Sequence, residues 1–205
     1  KEMLACCKAL SVDFQPIIVS DYATTVKLHL NAGAQQLARM DFEEYCPDLF
    51  DKIEVFLKEN LRQFDIVILS DYAKGFLQSS AKIIQLAQEA SVPVFVDPKI
   101  SDYTVYAGAT LIKPNFKEFT EIVGSCPDNE TIARKGECLK EAHGFEHLLV
   151  TRGAQGMSLL EKNKAPSHLP THATEVFDVS GAGDTVMAIL AACYTNGLPL
   201  HRCAH

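Results

Sequence analysis

The sequence predicts an α/β protein in which a mainly parallel sheet is covered by helices on both faces. From about residue 49 to the end, short continuous apolar runs alternate with segments of helical periodicity. Continuous apolar runs are typical of strands buried on both faces, and strand–helix alternation is typical of parallel sheets. The earlier residues differ, because two alternating polar–apolar segments within 24–42 predict a separate β-hairpin flap.

The elements follow from these patterns in chain order. A helix is expected at 1–10, an extended segment at 14–19, hairpin strands at 24–30 and 35–42, and a helix at 49–63. Sheet strands are expected at 65–70, 93–97, 109–113, 147–151, 156–162 and 175–177. Helices are expected at 79–90, 115–123, 130–142 and 182–196. Such sheets bind ligands at the carboxyl ends of their strands, so the loops there are the candidate site.

Composition excludes several classes of protein. The 205 residues are 47% hydrophobic and carry a net charge of −7, which is typical of a globular domain and argues against a nucleic-acid partner. The apolar runs are too short to span a bilayer, so no membrane partner is expected. The seven cysteines include no Cys-x-x-Cys pair, which favours reduced thiols and a cytoplasmic location. The chain begins with Lys1 and ends directly after a helical run, so we expect a fragment cut at both ends.

The clearest motif is the segment Asp-Val-Ser-Gly-Ala-Gly-Asp at 178–184, which opens an apolar helix. Backbone N–H groups of Gly181, Ala182 and Gly183 at a helix N-terminus would form an anion site. Asp184 in the first turn could take a proton from a hydroxyl that attacks a phosphate. An ordinary turn with a dipole-stabilised aspartate is the alternative, and the residues alone leave the two evenly balanced.

Three motifs together resemble those of the ribokinase-like sugar kinases. The segment 178–184 is similar to the family's signature, in which the second aspartate is the catalytic base and the glycines are the anion hole. Asn115 and Glu118 match the family's Asn-x-x-Glu motif, which implies that they organise Mg²⁺ and the ATP phosphates, Glu118 largely through water. Thr151, Gly153 and Gly156 resemble the family's turn along the nucleotide. The motifs occur in family order, which raises their specificity.

Further segments resemble the heptose-7-phosphate kinase branch of that family, which is often fused to an adenylyltransferase. They are 35–43, 69–75, 96–99 and 164–170. The resemblance implies a three-layer α/β/α sandwich in which 1–205 is the central and C-terminal part of a kinase domain and 24–42 is a lid. The implied substrate-binding residues are Lys27, Arg39, Asp71, Lys74 and Lys99. Lys74 and Lys99 could instead be solvated loop residues, and Lys27 and Arg39 could instead belong to an exposed polar face of the flap. His29 stands where the branch commonly has arginine.

The implied reaction is transfer of the ATP γ-phosphoryl group to the anomeric hydroxyl of D-glycero-β-D-manno-heptose 7-phosphate. Its 1,7-bisphosphate product would lead to ADP-heptose and the lipopolysaccharide core. Asp184 would be the base, with ATP and Mg²⁺ as cofactors. Two alternatives stay open: a ribokinase-like kinase of another sugar, or a fragment that binds nucleotide without turnover. A homodimer through the flap is also implied by the resemblance.

Overall fold

The computed structural model describes residues 2–19, 22–23, 25–32, 35–171 and 181–204. The chain forms two compact units, Lys1–Cys46 and Pro47–His205. The hairpin therefore shares its unit with the N-terminal helix rather than belonging to the larger unit. The predicted strand at 175–177 and the first three residues of the 178–184 motif lie outside the described residues.

The first unit contains helix α1 (Glu2–Ala9) and an antiparallel ribbon of β1 (Val26–Ala32) and β2 (Gln35–Phe42). Leu28 stands opposite Met40, and His29 stands opposite Arg39. The register shifts after Leu30, which marks a bulge. The segment 14–19, expected to be extended, forms no strand. Pro16 in that segment has no N–H to donate to a neighbouring strand.

The second unit is built around a mixed sheet. Within the described residues, six strands form it in chain order: β3 (Val67–Ser70), β4 (Val94–Asp97), β5 (Leu111–Ile112), β6 (His147–Thr151), β7 (Met157–Leu160) and β8 (Ser167–Leu169). The first four are parallel, and the last two pairings are antiparallel. The carboxyl ends of β3 to β6 therefore share one edge of the sheet.

Helices cover both faces of this sheet. They are α2 (Phe50–Asn60), α3 (Ser80–Glu89), α4 (Phe116–Val123), α5 (Asn129–His143), α6 (Ala182–Thr195) and α7 (Leu200–Cys203). Successive strand residues point to opposite faces. Val96 packs into the core shared with α2 to α5, whereas its neighbour Phe95 packs into the core shared with α6 and α7. The unit is thus the three-layer α/β/α sandwich that the sequence predicts.

The structure adds elements that the sequence patterns do not reveal. Strand β8, helix α7 and a 3₁₀ turn at Tyr103–Tyr106 were not predicted. The predicted strand 109–113 is shortened to Leu111–Ile112, although Ala109 and Lys113 are also buried. None of the helices in the described part of the chain is long and apolar enough to cross a membrane.

Candidate active site

A cleft of about 590 Å³ opens at the carboxyl ends of the parallel strands. It is lined by most of the residues that the sequence motifs single out. They are Asp71, Lys99, Asn115, Glu118, Thr151, Gly153, Gly181, Gly183 and Asp184. The fold thus brings together residues that lie more than a hundred positions apart in the chain.

The glycine-rich segment forms the N-terminus of α6. Gly181 is the N-cap residue and has a φ of 76°, a left-handed conformation that favours glycine. Its carbonyl accepts hydrogen bonds from the Thr185 N–H and hydroxyl, both at 2.9 Å. The first N–H groups of a helix have no intrahelical acceptor. Together with Asp184 in the first turn, they face a cleft that can receive an anion.

A buried ion pair lies next to this glycine segment. Lys113 Nζ is 2.9 Å from Asp97 Oδ2, and the Lys113 side chain is only 4% exposed. A Cβ atom added to Gly183 would come 3.3 Å from that Nζ, so the backbone and the ammonium group are close. Burial raises the pKa of the Asp97 carboxyl; Lys113 opposes this shift, and the charges of Glu118 and Asp184 add to it. Sequence reasoning did not include Lys113 and Asp97 among the site residues, although each directly follows or ends a buried strand.

Asn115 and Glu118 form a capping box at the start of α4. Asn115 Oδ1 accepts from the Glu118 N–H and Glu118 Oε2 accepts from the Asn115 N–H, both at 2.9 Å. Glu118 Oε1 accepts from Lys99 Nζ at 2.7 Å, and this bond raises the pKa of Lys99. These contacts explain why α4 begins at this motif. Binding of phosphate or metal by Asn115 and Glu118 stays a prediction.

A metal ion in this cleft would find carboxylates but no ready-made cage. The side chains of Asp97, Glu118 and Asp184 interact electrostatically. Hard oxygen donors of this kind suit Mg²⁺. Among the described residues, no three His, Cys, Asp or Glu side chains are grouped closely enough to hold a metal ion. The donor set therefore fits an Mg²⁺ ion that keeps several of its water ligands.

Asp71 is buried at the cleft wall and already holds two groups. One carboxylate oxygen accepts from the Ala73 N–H at 2.8 Å, and the other accepts from the Tyr106 hydroxyl. Burial and this bond raise the pKa of Tyr106. Asp71 thus shapes the loop after β3, and direct contact with a substrate stays a prediction. Lys74, predicted alongside it, is exposed on the same loop and does not line the cleft.

The turn after β6 separates the cleft from a second cavity of about 400 Å³. Both cavities are lined by Thr151, Gly153 and Gly183. The second cavity is also lined by largely apolar residues: Gly156, Met157, Pro170, Ala182, Val186 and Ala204. Gly156 has a φ of 80°, and a Cβ atom there would come 1.9 Å from the Leu169 carbonyl oxygen, so only glycine fits. A long ligand with a polar and an apolar end would match this pair of cavities.

Arg152, between two predicted nucleotide-binding residues, is a site residue that the motif comparison passed over. It lines the cleft, and its Nη1 atom donates to Asn129 Oδ1 at 2.6 Å and to Ser158 Oγ at 2.9 Å. The motif is defined by Thr151, Gly153 and Gly156 alone, so nothing in the sequence distinguished Arg152 from an exposed arginine.

Lys27 and Arg39 belong to the first unit. Lys27 Nζ lies 3.4 Å from Glu43 Oε1, and Arg39 makes two hydrogen bonds to the Asp41 carboxylate at 2.8 and 2.7 Å. The guanidinium group lowers the pKa of the Asp41 carboxyl. Both predicted phosphate ligands are therefore paired with carboxylates inside the hairpin, and their role with a substrate stays a prediction.

Comparison with known proteins identifies relatives over nearly the whole chain. The sequence model described as pfkB family carbohydrate kinase matches residues 1–205. The Bifunctional protein HldE of Aliivibrio salmonicida is 45% identical over 194 residues, which are 94% of this chain and 41% of the relative. The protein of the same name from Nitrosococcus oceani is 47% identical over 176 residues, 85% of this chain and 37% of the relative. The chain therefore spans less than half the length of these relatives.

Solved structures share the fold. Phosphofructokinase-2 from Escherichia coli, solved in complex with potassium, superposes with a TM-score of 0.78 at 16% identity, over 99% of this chain and 68% of that one. The ribokinase of Arabidopsis thaliana, solved with ribose and ATP, superposes with a TM-score of 0.66 at 21% identity, over 83% of this chain and 55% of that one. The architecture is therefore ribokinase-like.

Proposed function

This chain belongs to the pfkB family of carbohydrate kinases, and from that premise we propose a specific reaction. The protein transfers the γ-phosphoryl group of ATP to the anomeric hydroxyl of D-glycero-β-D-manno-heptose 7-phosphate. The new bond joins the sugar oxygen to the phosphorus, the bond to the β-phosphate oxygen breaks, and ADP leaves. Motifs similar to the heptose-7-phosphate kinase branch support this substrate, as does the identity to proteins named HldE.

The observation that carries the proposal is the position of Asp184 beside the glycine segment at the cleft. Asp184 would accept the hydroxyl proton as the sugar oxygen attacks. The N–H groups at the start of α6 would hold the charge that develops on the transferred group. Lys113, close to Gly183 and paired with Asp97, would place an ammonium group at the same place. Phosphoryl transfer depends mainly on such positioning and charge neutralisation.

The two cavities offer places for the two substrates. The apolar second cavity would hold the adenine of ATP, and the shared residues Thr151, Gly153 and Gly183 would lie along the phosphates. The sugar would bind in the remaining part of the cleft, between Asp71 and Asp184. A bound Mg²⁺ ion would supply charge neutralisation between the phosphates, with Asn115, Glu118 and Asp97 nearest to it.

We also propose that the hairpin forms the interface of a homodimer. One face of the ribbon carries an apolar row, which includes Leu28 at 50% and Met40 at 48% exposure, directly opposite each other. A two-stranded ribbon is only marginally stable alone. The same face on a second copy is the partner of matching chemistry, because a twofold interface pairs identical surfaces.

The experiment is a kinase assay of the full-length protein with ATP and a panel of sugar phosphates. Asp184→Asn should lower turnover by about 10²–10⁴-fold while ATP still binds. Asp51→Asn is the matched control, since Asp51 also lies in the first turn of a helix but does not line the cleft. Turnover of another sugar alone would reject the heptose assignment. Retention of more than about a tenth of wild-type turnover by Asp184→Asn would reject the base.

A further inference from the structure

We infer that Arg152 binds a phosphate group of the nucleotide, an inference that rests on the proposed kinase function. In the part of the chain that the structure describes, four cationic side chains line the cleft: Lys99, Lys113, Lys117 and Arg152. The three lysines are each paired with a carboxylate, at 2.7, 2.9 and 3.8 Å respectively. Arg152, in contrast, forms its hydrogen bonds with neutral side chains.

The guanidinium group of Arg152 contacts neutral oxygen atoms. Nη1 donates to Asn129 and Ser158, and Nη2 lies 3.5 Å from Gln155 Oε1. Its Nε atom is buried and meets no acceptor among the described residues. No described carboxylate lies within ion-pair distance of the group. Arg152 is therefore half-buried, and among the described residues no carboxylate compensates its charge, an arrangement that favours a bound anion.

The surroundings fix the guanidinium and indicate which anion fits. Asn129 begins α5 and Ser158 lies on β7, so two rigid elements hold Nη1 in place. Ser158 Oγ in turn contacts His168 Nδ1 at 2.9 Å, and burial together with Arg152 lowers the pKa of that histidine. A neutral His168 adds no competing cation. The planar fork of a held arginine suits phosphate oxygens.

The position of Arg152 favours the nucleotide over the sugar phosphate as the source of that group. It directly follows Thr151 and precedes Gly153, two of the three residues that line both the cleft and the apolar second cavity. A nucleotide whose base enters the second cavity must pass its phosphates across this junction. The opposite end of the cleft, at Asp71, is left for the other substrate.

The test measures binding of adenosine, AMP, ADP, a non-hydrolysable ATP analogue and heptose 7-phosphate to the full-length protein. Arg152→Gln should weaken the phosphate-bearing nucleotides by about 10–100-fold and leave adenosine and the sugar phosphate unchanged. Asn129→Asp should weaken them by about tenfold, because it supplies the missing carboxylate while suiting the first turn of α5. Arg134→Gln, an exposed arginine on α5 away from the cleft, is the control.

The outcomes separate this inference from the proposed function. Equal losses for adenosine and ATP would show a structural role and overturn the inference, as would a loss confined to the sugar phosphate. If wild type binds ATP and Arg152→Gln binds it equally well, the inference fails while the kinase proposal stands. If wild type binds no ATP, both fail. Thermal unfolding of each variant establishes that it is folded, and Arg152→Lys should recover part of the affinity because it keeps the charge.

Discussion

Lys113 Nζ lies 2.9 Å from Asp97 Oδ2, and the same Nζ is the nearest atom that a side chain at Gly183 would meet. The ion pair thus joins the ends of two neighbouring strands to the start of α6. Its removal should affect stability and turnover in separable ways.

Lys113→Met should leave the half-buried Asp97 carboxylate without its partner. We expect the free energy of unfolding to fall by up to about 3 kcal/mol at neutral pH, less than for a fully buried pair because Asp97 keeps partial solvent access. The pKa of Asp97 is already raised by burial and would rise further. The deficit should therefore shrink as the pH falls through the raised pKa of Asp97, and it should level off only below the ordinary carboxyl value of 3.8, where Asp97 is protonated in both states.

Urea denaturation at pH 5 and pH 7.5 measures this difference. The double variant Lys113→Met with Asp97→Leu should regain stability, because no unpaired charge is left, but it should not regain turnover. A deficit that is independent of pH would contradict the account, since packing alone does not titrate.

Glu118→Gln should raise the Mg²⁺ concentration for half-maximal rate several-fold, because a neutral amide attracts a hydrated cation less than a carboxylate does. Stability should change by no more than about 1 kcal/mol, since the Lys99 side chain of the pair is 53% exposed and glutamine can still accept the Asn115 N–H bond. Glu121→Gln on the same helix serves as the control, because Glu121 forms an ion pair with Lys117 and does not line the cleft. If both variants show the same Mg²⁺ titration, Glu118 caps the helix and does not contribute to metal binding.

Gly156→Ala should destabilise the protein by roughly 2–4 kcal/mol, through left-handed strain and a steric clash with the Leu169 carbonyl. Gly197→Ala has a similar φ of 73° but open space around its Cβ, so it should cost only about 1 kcal/mol. Thermal unfolding compares the two. Equal costs would show that the backbone at the end of β8 moves to accommodate the added methyl group.

Lys27→Ala and Arg39→Ala should weaken binding of heptose 7-phosphate about tenfold with little effect on ATP. This is the lower end of the range for a charge-assisted contact, because Glu43 and Asp41 compete for the two cations. Asp41→Asn should conversely tighten sugar-phosphate binding by releasing Arg39. Lys58→Ala, which removes an exposed lysine paired with Glu54, is the control. If all of the hairpin variants bind heptose 7-phosphate as wild type does, the flap does not bind the sugar phosphate. Dimerisation would then be its remaining proposed role.

The dimer is tested by Leu28→Asp, which places a carboxylate in the apolar row of the hairpin. Light scattering should show a monomer at concentrations where wild type is a dimer, because burying an unpaired charge is unfavourable. Ile18→Asp, at an 83% exposed position outside the hairpin strands, should leave the mass unchanged. A dimeric Leu28→Asp variant would place the interface elsewhere.

The sequence pattern predicts the larger unit well because its strands are buried on both faces. The strand at 147–151 has its predicted bounds, and the helices at 79–90 and 130–142 are within one residue of theirs. Strand β8 was not predicted because three residues are too few to show a hydrophobic period. Helix α7 was not predicted for the same reason, since it has four residues.

The candidate site was partly predictable, because motifs identify residue types but not their neighbours. Asp184 and Thr151 line the cleft as the motifs imply. The pairing of Lys113 with Asp97 depends on which strands lie side by side, and a single sequence does not encode that explicitly. The pairing of Lys27 with Glu43 is likewise invisible to a pattern that counts only polar and apolar positions.

The Tyr106 hydroxyl links two loops of the cleft. It donates to Asp71 after β3, and it accepts from the N–H groups of Lys99 and Ile100 after β4, at 3.5 and 3.4 Å. A ligand that immobilises one loop therefore also restricts the other loop through Tyr106. The second loop then loses less conformational entropy when it is ordered. Tyr106→Phe would uncouple them, so that the wall facing the sugar and the wall carrying Lys99 would each have to be ordered separately when substrate arrives.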